Sequence, residues 1–240
     1  MEDGIYVSIS AQVAREMRIN TIAQNIANAQ TTGFKAAEVR FQEVLQEVDG
    51  EPVSFASKGV EYVDTSSGGL QQTGNPLDFA VRGNAWFGIQ TPVGTVVTRD
   101  GRFTMVDNGD LVTLGGYPVL DPGGAPIVLN PAGGTPELGQ DGFIRQNGRQ
   151  VAAIGLFAFE PAPDFKRFEN SGIIVGGEPD PVVDNADVGV VQGHLEESNV
   201  DALYEMTQLI QVQRAFETAA AIMQQSEDSV DQVIKELSTM

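Results

Sequence analysis

The 240-residue sequence contains no cysteine and one histidine, which excludes several classes of site. Without cysteine there is no disulfide, no thiolate-ligated zinc, no iron–sulfur cluster and no thiol nucleophile. The single histidine, His194, cannot build a multi-histidine metal site, and no phosphate-binding glycine loop or Gly-x-Ser-x-Gly elbow occurs. We therefore expect no cofactor and no enzymatic activity. A glycoside hydrolase remains open, because the spacing of its two carboxylates is set only in space.

Basic residues are scarce, since 14 lysines and arginines stand against 33 aspartates and glutamates, for a formal net charge of −19. A surface of that sign repels phosphate backbones, so we expect no nucleic-acid partner. Long apolar runs are also missing. The longest, at residues 151–159, is far shorter than the ~20 residues of a membrane helix, which predicts no membrane insertion. The acidic start, Met1-Glu2-Asp3-Gly4, does not resemble a secretory signal, so any export is expected to proceed without signal cleavage.

Glycine and proline are almost absent from both ends of the chain. Residues 1–35 contain no proline, and residues 194–240 contain neither residue type. This distribution favours helical ends around a loop-rich β region. We predict an α+β fold in which N- and C-terminal helices pair as a coiled coil around an inserted β-rich domain. The expected parts are a discontinuous helical domain (1–35 with 196–240), a connector (36–75) and a β-rich domain (76–195).

The N-terminal stretch carries apolar residues at steps of three and four from Ile5 to Ala29, which predicts one long helix. Its predicted stop is Thr31-Thr32-Gly33, where glycine can adopt a left-handed cap conformation. Within the connector, apolar spacing predicts a brief further helix at Phe41, Val44, Leu45 and Val48.

The C-terminal stretch shows a heptad pattern, which we call the seam: Leu209, Phe216, Met223, Val230 and Leu237, with partners such as Val212 three residues later. This spacing is typical of a coiled coil. A helix from Val200 to Leu237 would be about 57 Å long, too long to bury its stripe on a small domain. It needs the N-terminal helix, other copies, or both, although packing of each helix on its own domain remains open.

The start of this second helix is predicted from its polar residues. Ser198 or Asn199 is the expected N-cap, with Asp201 in the first turn. Arg15 and Arg18 of the first helix are candidate ion-pair partners for acids of the second.

The middle of the chain has the pattern of β-hairpins. Residues 86–90 and 95–99 flank a turn sequence, and Asp100-Gly101 and Asn108-Gly109 mark the next two turns. A weak repeat of this plan follows at Asp141-Gly142 and Asn147-Gly148.

Three segments resemble the axial proteins of the bacterial flagellum. The first is IAQNIANAQTTGFK at residues 22–35, which is similar to the N-terminal motif of that family. The second comprises residues 72–80 and TRDGRF at 98–103, which resemble the rod and hook β-domain. The third is LEESNVD at 195–201 followed by QRAFE at 213–217, which is similar to the C-terminal motif.

The resemblance implies a structural subunit of the flagellar basal-body rod that assembles helically through its terminal helices into a hollow tube. That tube would transmit torque and pass exported subunits. The length and the opening residues favour a proximal rod protein. A distal rod or hook subunit is the alternative, followed by an acidic β-rich glycan-binding module.

The implied partners are other rod proteins, copies of the chain itself and the flagellar export apparatus, and the implied location is the basal body. The implied assembly-interface residues are Ile22, Asn25, Ile26, Asn28, Gly33, Phe34, Asn199, Leu209, Val212, Phe216, Met223, Val230 and Leu237.

Overall fold

The computed structural model describes residues 2–41, 43–48, 51–56, 59–139, 142–183 and 185–238. The chain divides into two compact units. The first unit comprises Met1–Ile26, Val39–Val60 and Asp201–Met240, and the second comprises Ala27–Glu38 and Glu61–Val200.

The described residues contain two helices and nineteen strands. The helices are α1 (Glu2–Ala27) and α2 (Ala202–Ser238). The strands are β1 (Ala37–Arg40), β2 (Glu43–Val48), β3 (Glu51–Ala56), β4 (Val60–Val63), β5 (Leu70–Gln72), β6 (Phe79–Arg82), β7 (Trp86–Thr91), β8 (Gly94–Thr98), β9 (Phe103–Met105), β10 (Leu111–Thr113), β11 (Glu137–Leu138), β12 (Phe143–Gln146), β13 (Arg149–Ala153), β14 (Leu156–Ala158), β15 (Arg167–Phe168), β16 (Gly172–Ile174), β17 (Asp180–Pro181), β18 (Gly189–Gln192) and β19 (His194–Glu196).

The second unit is built around a six-stranded antiparallel sheet with the order β15-β16-β8-β7-β14-β17. Successive side chains of a strand point to opposite faces, so both faces of this sheet can be buried. Phe87 belongs to the larger core, where its ring meets Phe103 edge-on at 5.2 Å. Trp86 lies in a smaller core with Val97 and Ile173. Smaller ladders surround this sheet, among them β6 with β18, β5 with β19, and the triplet β11-β12-β13.

Two of the predicted hairpins of the middle region are confirmed, but β8 and β9 do not pair across Asp100-Gly101, because β8 pairs with β7 and β16 instead. Strands β7 and β8 pair from Phe87↔Thr98 to Thr91↔Gly94, and β9 pairs with β10 across the Asn108-Gly109 turn. In the repeat, Asn147 and Gly148 both have positive φ angles, of 50° and 74°. That pair of angles is the geometry of a type I′ turn. Asp141 lies outside the described residues.

The predicted helix boundaries need correction. Helix α1 ends at Ala27, six residues before Gly33, although Gly33 does have a left-handed φ of 66°. Helix α2 is capped by Asp201, whose Oδ1 accepts hydrogen bonds from the backbone N–H groups of Leu203 and Tyr204, both at 3.0 Å. Ser198 and Asn199 are therefore not the N-cap, because a cap must lie within reach of the second and third helical N–H groups.

The further helix predicted across residues 41–48 is also wrong, because residues 43–48 form strand β2. It pairs with β3 as an antiparallel hairpin, with Val44 opposite Phe55 and Val48 opposite Glu51. An i, i+4 apolar pair fits a short strand as well as a helix, and local hairpin pairing with β3 decided the outcome.

The predicted fold class, an α+β chain with its end helices paired as a coiled coil, is contradicted. Strands outnumber helices in the described ranges, and although both terminal helices form, their pairing as a coiled coil is only partly seen. Val212 is buried with 7% of its surface exposed, but Phe216 of the same seam is 40% exposed and Ile210 is 52% exposed. The heptad pattern shows that a helix face is apolar, but it does not specify what covers that face.

Two polar contacts join α1 and α2. Arg18 Nη2 donates to Gln208 Oε1 at 3.0 Å, and Asn25 Nδ2 donates to Glu205 Oε1 at 2.8 Å. The predicted ion pairing of Arg18 is thus corrected to a hydrogen bond with a neutral amide.

Neither helix, over its described length, carries an apolar stretch of the kind that crosses a membrane. Among the described side chains, no three acidic or histidine groups gather in a way that would hold a metal ion.

Candidate functional site

The second unit contains a buried cluster of three charged side chains, Lys35, Arg99 and Glu196. One carboxylate oxygen of Glu196 accepts a hydrogen bond from Lys35 Nζ at 2.6 Å, and the other accepts one from Arg99 Nη1 at 3.0 Å. All three side chains are at most 1% exposed. The backbone N–H of Gly68 donates to Glu196 Oε1 at 3.1 Å, so both carboxylate oxygens have partners.

Three distant parts of the chain supply this cluster. Lys35 follows the turn after α1, Arg99 follows the end of β8, and Glu196 is the last residue of β19. These positions fall within the N-terminal, β-domain and C-terminal motifs that carried the resemblance. The three motifs therefore meet at one carboxylate.

Gly33 allows the N-terminal motif to approach the other two. Its N–H donates to the carbonyl oxygen of Glu196 at 2.8 Å. A Cβ atom at this position would lie 2.2 Å from the backbone nitrogen of Asp100, and the φ of 66° is one that L-residues with side chains rarely adopt. Both the space and the backbone conformation require glycine.

The cluster has one more positive charge than negative charges. Burial lowers the pKa of Lys35 and of Arg99, and the nearby Glu196 carboxylate opposes that effect in both cases. The remaining Lys35 and Arg99 hydrogen bonds go to carbonyl oxygens: Lys35 Nζ to Ser66 at 2.6 Å and Arg99 Nη2 to Gly83 at 2.9 Å. These neutral dipoles stabilise the surplus charge without neutralising it.

A second arginine holds the same N-terminal segment from its other side. The guanidinium of Arg167 lies 4.3 Å from the ring centroid of Phe34 and 4.9 Å from that of Phe165, distances typical of cation–π contacts. Its Nη2 donates to the carbonyl oxygen of Lys35 at 2.6 Å. Burial lowers the pKa of Arg167 to about 10, with nearby Glu61 opposing the shift. Within the described residues, its Nε and Nη1 have no hydrogen-bond partner.

Asn199 ties the C-terminal motif to two other segments. Its Oδ1 accepts a hydrogen bond from the backbone N–H of Ala36 at 2.7 Å. Its Nδ2 donates to the carbonyl oxygens of Asp64 and Ser66 at 3.0 and 3.1 Å. The Asn199 side chain thus joins three chain segments through hydrogen bonds: its own, the segment at Ala36 and the segment at residues 64–66.

Models of three protein families match the chain in the same three regions. "Flagella basal body rod protein" matches residues 5–35, "Flagellar hook protein FlgE/F/G D1 domain" matches residues 80–146, and "Flagellar basal body rod FlgEFG protein C-terminal" matches residues 191–236.

Similar proteins match over the whole chain. The flagellar basal-body rod protein FlgF of Mesorhizobium japonicum is 52% identical over 239 residues, which cover 100% of this chain and 99% of that protein. The FlgF protein of Rhizobium meliloti is 51% identical over 99% of this chain and 98% of its own length. The chain belongs to the FlgF family of flagellar basal-body rod proteins. The FlgG rod protein of Bacillus subtilis is more distant, at 29% identity over 96% of this chain and 97% of its own.

The residues expected at an assembly interface of this FlgF-family chain fall into four groups. Buried ones are Ile22, Asn25, Gly33, Phe34 and Val212. Ile26, Asn28, Asn199 and Leu209 are partly buried, and Phe216 is exposed. Met223, Val230 and Leu237 lie in α2 beyond the residues whose side chains the structure describes.

Gly33, Phe34 and Asn199 act inside the second unit, where they hold the N- and C-terminal motifs together. Asn25 contacts Glu205 within the first unit.

Sequence reasoning missed the residues that join the FlgF-family motifs. Lys35, Arg99 and Glu196 stand in the quoted motifs, yet none was proposed as a site residue. The available signal was the scarcity of basic residues, with 14 in 240, which makes a lysine and an arginine within these motifs notable. The exposed apolar residues at the start of α2, namely Leu203, Tyr204, Met206 and Ile210, were missed as well.

Proposed function

We propose that the chain is a structural, non-enzymatic subunit of the bacterial flagellar basal-body rod. Copies of the chain and neighbouring rod proteins assemble helically, through their terminal segments, into a hollow tube. This tube transmits torque and passes exported subunits. The observation that carries the proposal is the 52% identity to a protein named as a rod protein over essentially the full length of both chains.

The proposed assembly surface lies on α2. Phe216 of the seam is 40% exposed, and Leu203, Tyr204 and Met206 are more exposed still. A run of exposed apolar side chains on one helix is typical of an interaction surface. We include the other seam residues Leu209, Met223, Val230 and Leu237 in this surface, together with Ile26 of α1. Ile22 and Val212 are left out, because they are buried within the single chain. Contacts that repeat from head to tail without closing generate a helical assembly.

The proposed partners follow from this assignment. They are other rod subunits, further copies of the chain, and the flagellar export apparatus, which delivers it to the basal body without cleavage of a signal peptide. Nucleic acid is not a partner, because the net charge of −19 repels phosphate.

A distal rod position is the second candidate, and it is favoured by the 29% identity to the FlgG protein of Bacillus subtilis. The higher identity to FlgF proteins supports a proximal position instead.

The test of this function replaces the chromosomal copy in a flagellated bacterium. A chain without residues 200–240 should be absent from purified basal bodies, and the cells should not swim. Motile cells that carry only this deletion would refute the proposal.

A point substitution refines this test. Phe216→Asp places a charge on the proposed apolar surface and should abolish incorporation, because an unpaired charge is costly to bury. Gln211→Asp, at an exposed position off the seam, is the matched control and should swim normally. Rods of normal composition containing the Phe216 variant would show that this surface is not an interface.

A further inference from the structure

The N-terminal segment Gly33–Ala37 brings a positive charge into a site that already holds another. Lys35 Nζ is buried beside Glu196, and Arg99, which belongs to the β-domain, is fully buried at the opposite carboxylate oxygen. Arg167 adds a third cation, whose guanidinium lies against Phe34 and the carbonyl of Lys35. Glu196 is the one carboxylate that the described ion pairs place in contact with Lys35 and Arg99.

The two ends of the chain therefore contribute charges of opposite sign to the buried cluster. When β19 pairs with β5 and brings Glu196 to Arg99, it neutralises one buried cation. When the N-terminal segment brings Lys35 to the same place, it adds a second cation. Burial of a charge without a counter-charge costs several kcal/mol, whereas a pair that shares hydrogen bonds is tolerated. Docking of β19 is therefore favourable before the N-terminal segment docks. Docking of the N-terminal segment is not favourable before β19 has docked.

We infer that Glu196 is a positioning residue that makes docking of the N-terminal segment conditional on prior docking of β19. The N-terminal motif stays undocked until residue 196 has reached the β-domain, and the two motifs then close together. Backbone contacts reinforce the closed state, since Gly33 donates to the Glu196 carbonyl and Asn199 N–H donates to the Phe34 carbonyl at 3.4 Å. This order of docking is a property of the single chain and goes beyond its role in a rod.

The experiment measures amide hydrogen exchange in the full-length chain. Glu196→Gln keeps the shape of the side chain and removes its charge. Protection of residues 33–37 should fall by ~100-fold or more, the equivalent of breaking a buried ion pair. The amides of the β7–β8 hairpin report whether the β-domain stays folded. Glu197→Gln changes the neighbouring, exposed acid and should leave protection unchanged.

A double variant separates charge from packing. Adding Lys35→Met to Glu196→Gln removes the cation that lost its counter-charge, so protection of residues 33–37 should return, even if Glu196→Gln alone also loosens the hairpin. If Glu196→Gln leaves residues 33–37 protected, Lys35 does not depend on Glu196 and the inference fails. If the double variant does not regain protection, the loss came from packing or hydrogen bonding, and the inference fails as well.

Discussion

Buried charged side chains show how strongly one residue can depend on another in this protein. Arg99 is fully buried, stacks over the Trp86 ring at 5.1 Å and pairs with Glu196. Replacing such a pair by apolar groups is often neutral, whereas removing one partner is strongly destabilising. The cluster therefore determines which segments pack together and contributes little net stability.

Gly33 offers a test of close approach at a single position. In Gly33→Ala, the unfavourable φ costs about 1–2 kcal/mol, and the clash with the Asp100 backbone adds about 1–3 kcal/mol. Gly74→Ala is a matched control, because Gly74 has a similar φ of 74° but nothing within 4 Å of the added Cβ. Urea unfolding should show a larger loss of stability for Gly33→Ala. Equal losses would show that the clash relaxes without cost.

The buried Lys35 predicts a dependence of stability on pH. Burial holds its pKa below the ordinary value of 10.5, with Glu196 opposing the effect. Between the lowered pKa and 10.5, the unfolded chain binds more protons than the folded chain, so this group's contribution to stability rises with pH. The difference in unfolding free energy between the wild type and Lys35→Met should therefore shift in favour of the wild type as the pH rises from the lowered pKa towards 10.5. A difference that falls over this range would contradict the assignment.

The start of α2 depends on one cap. Asp201→Ala should cost about 1 kcal/mol and reduce helical content, because two N–H groups lose their acceptor. Circular dichroism and thermal unfolding measure both effects. Asp201→Asn keeps a capping oxygen and should behave almost like the wild type. A matching loss in the Asn variant would show that the charge beside the helix dipole, and not the hydrogen bond, is what matters.

Among the other elements, hairpins were predictable and helix partners were not. The turn at Asn147-Gly148 has two positive φ angles in succession. Asn-Gly favours this conformation by itself, so the turn is predictable from two adjacent residues. The seam on α2 is equally visible in the sequence, but its burial differs from residue to residue: Val212 is covered and Phe216 is not. Strand β2 lies between these cases. The Asp49-Gly50 sequence after it is a hairpin signal that the apolar spacing had obscured.

At the level of the molecule, the strong negative charge should control self-association. Copies that each carry −19 repel one another, and salt screens that repulsion over a distance of ~10 Å at 0.1 M. If copies contact through the apolar face of α2, sedimentation velocity should show more assembly at about 0.5 M salt than at low salt. Weaker association at high salt would point to a polar interface held by ion pairs.

Local chemistry made several features of this protein predictable from its residues alone. The helical ends followed from the near absence of glycine and proline, the turns from Asn-Gly pairs, and the family from three ordered motifs. Each of these features depends on the backbone preferences of residues that are close together in the sequence.

The meeting of Lys35, Arg99 and Glu196 has a different origin. The two cations are separated from Glu196 by 161 and 97 positions along the chain, and no local preference places them together. The sheet order, the β5–β19 pairing and the left-handed turn at Gly33 bring them into contact. Contacts of this kind depend on how the whole chain folds, because burial and pairing arise only when distant segments share one interior.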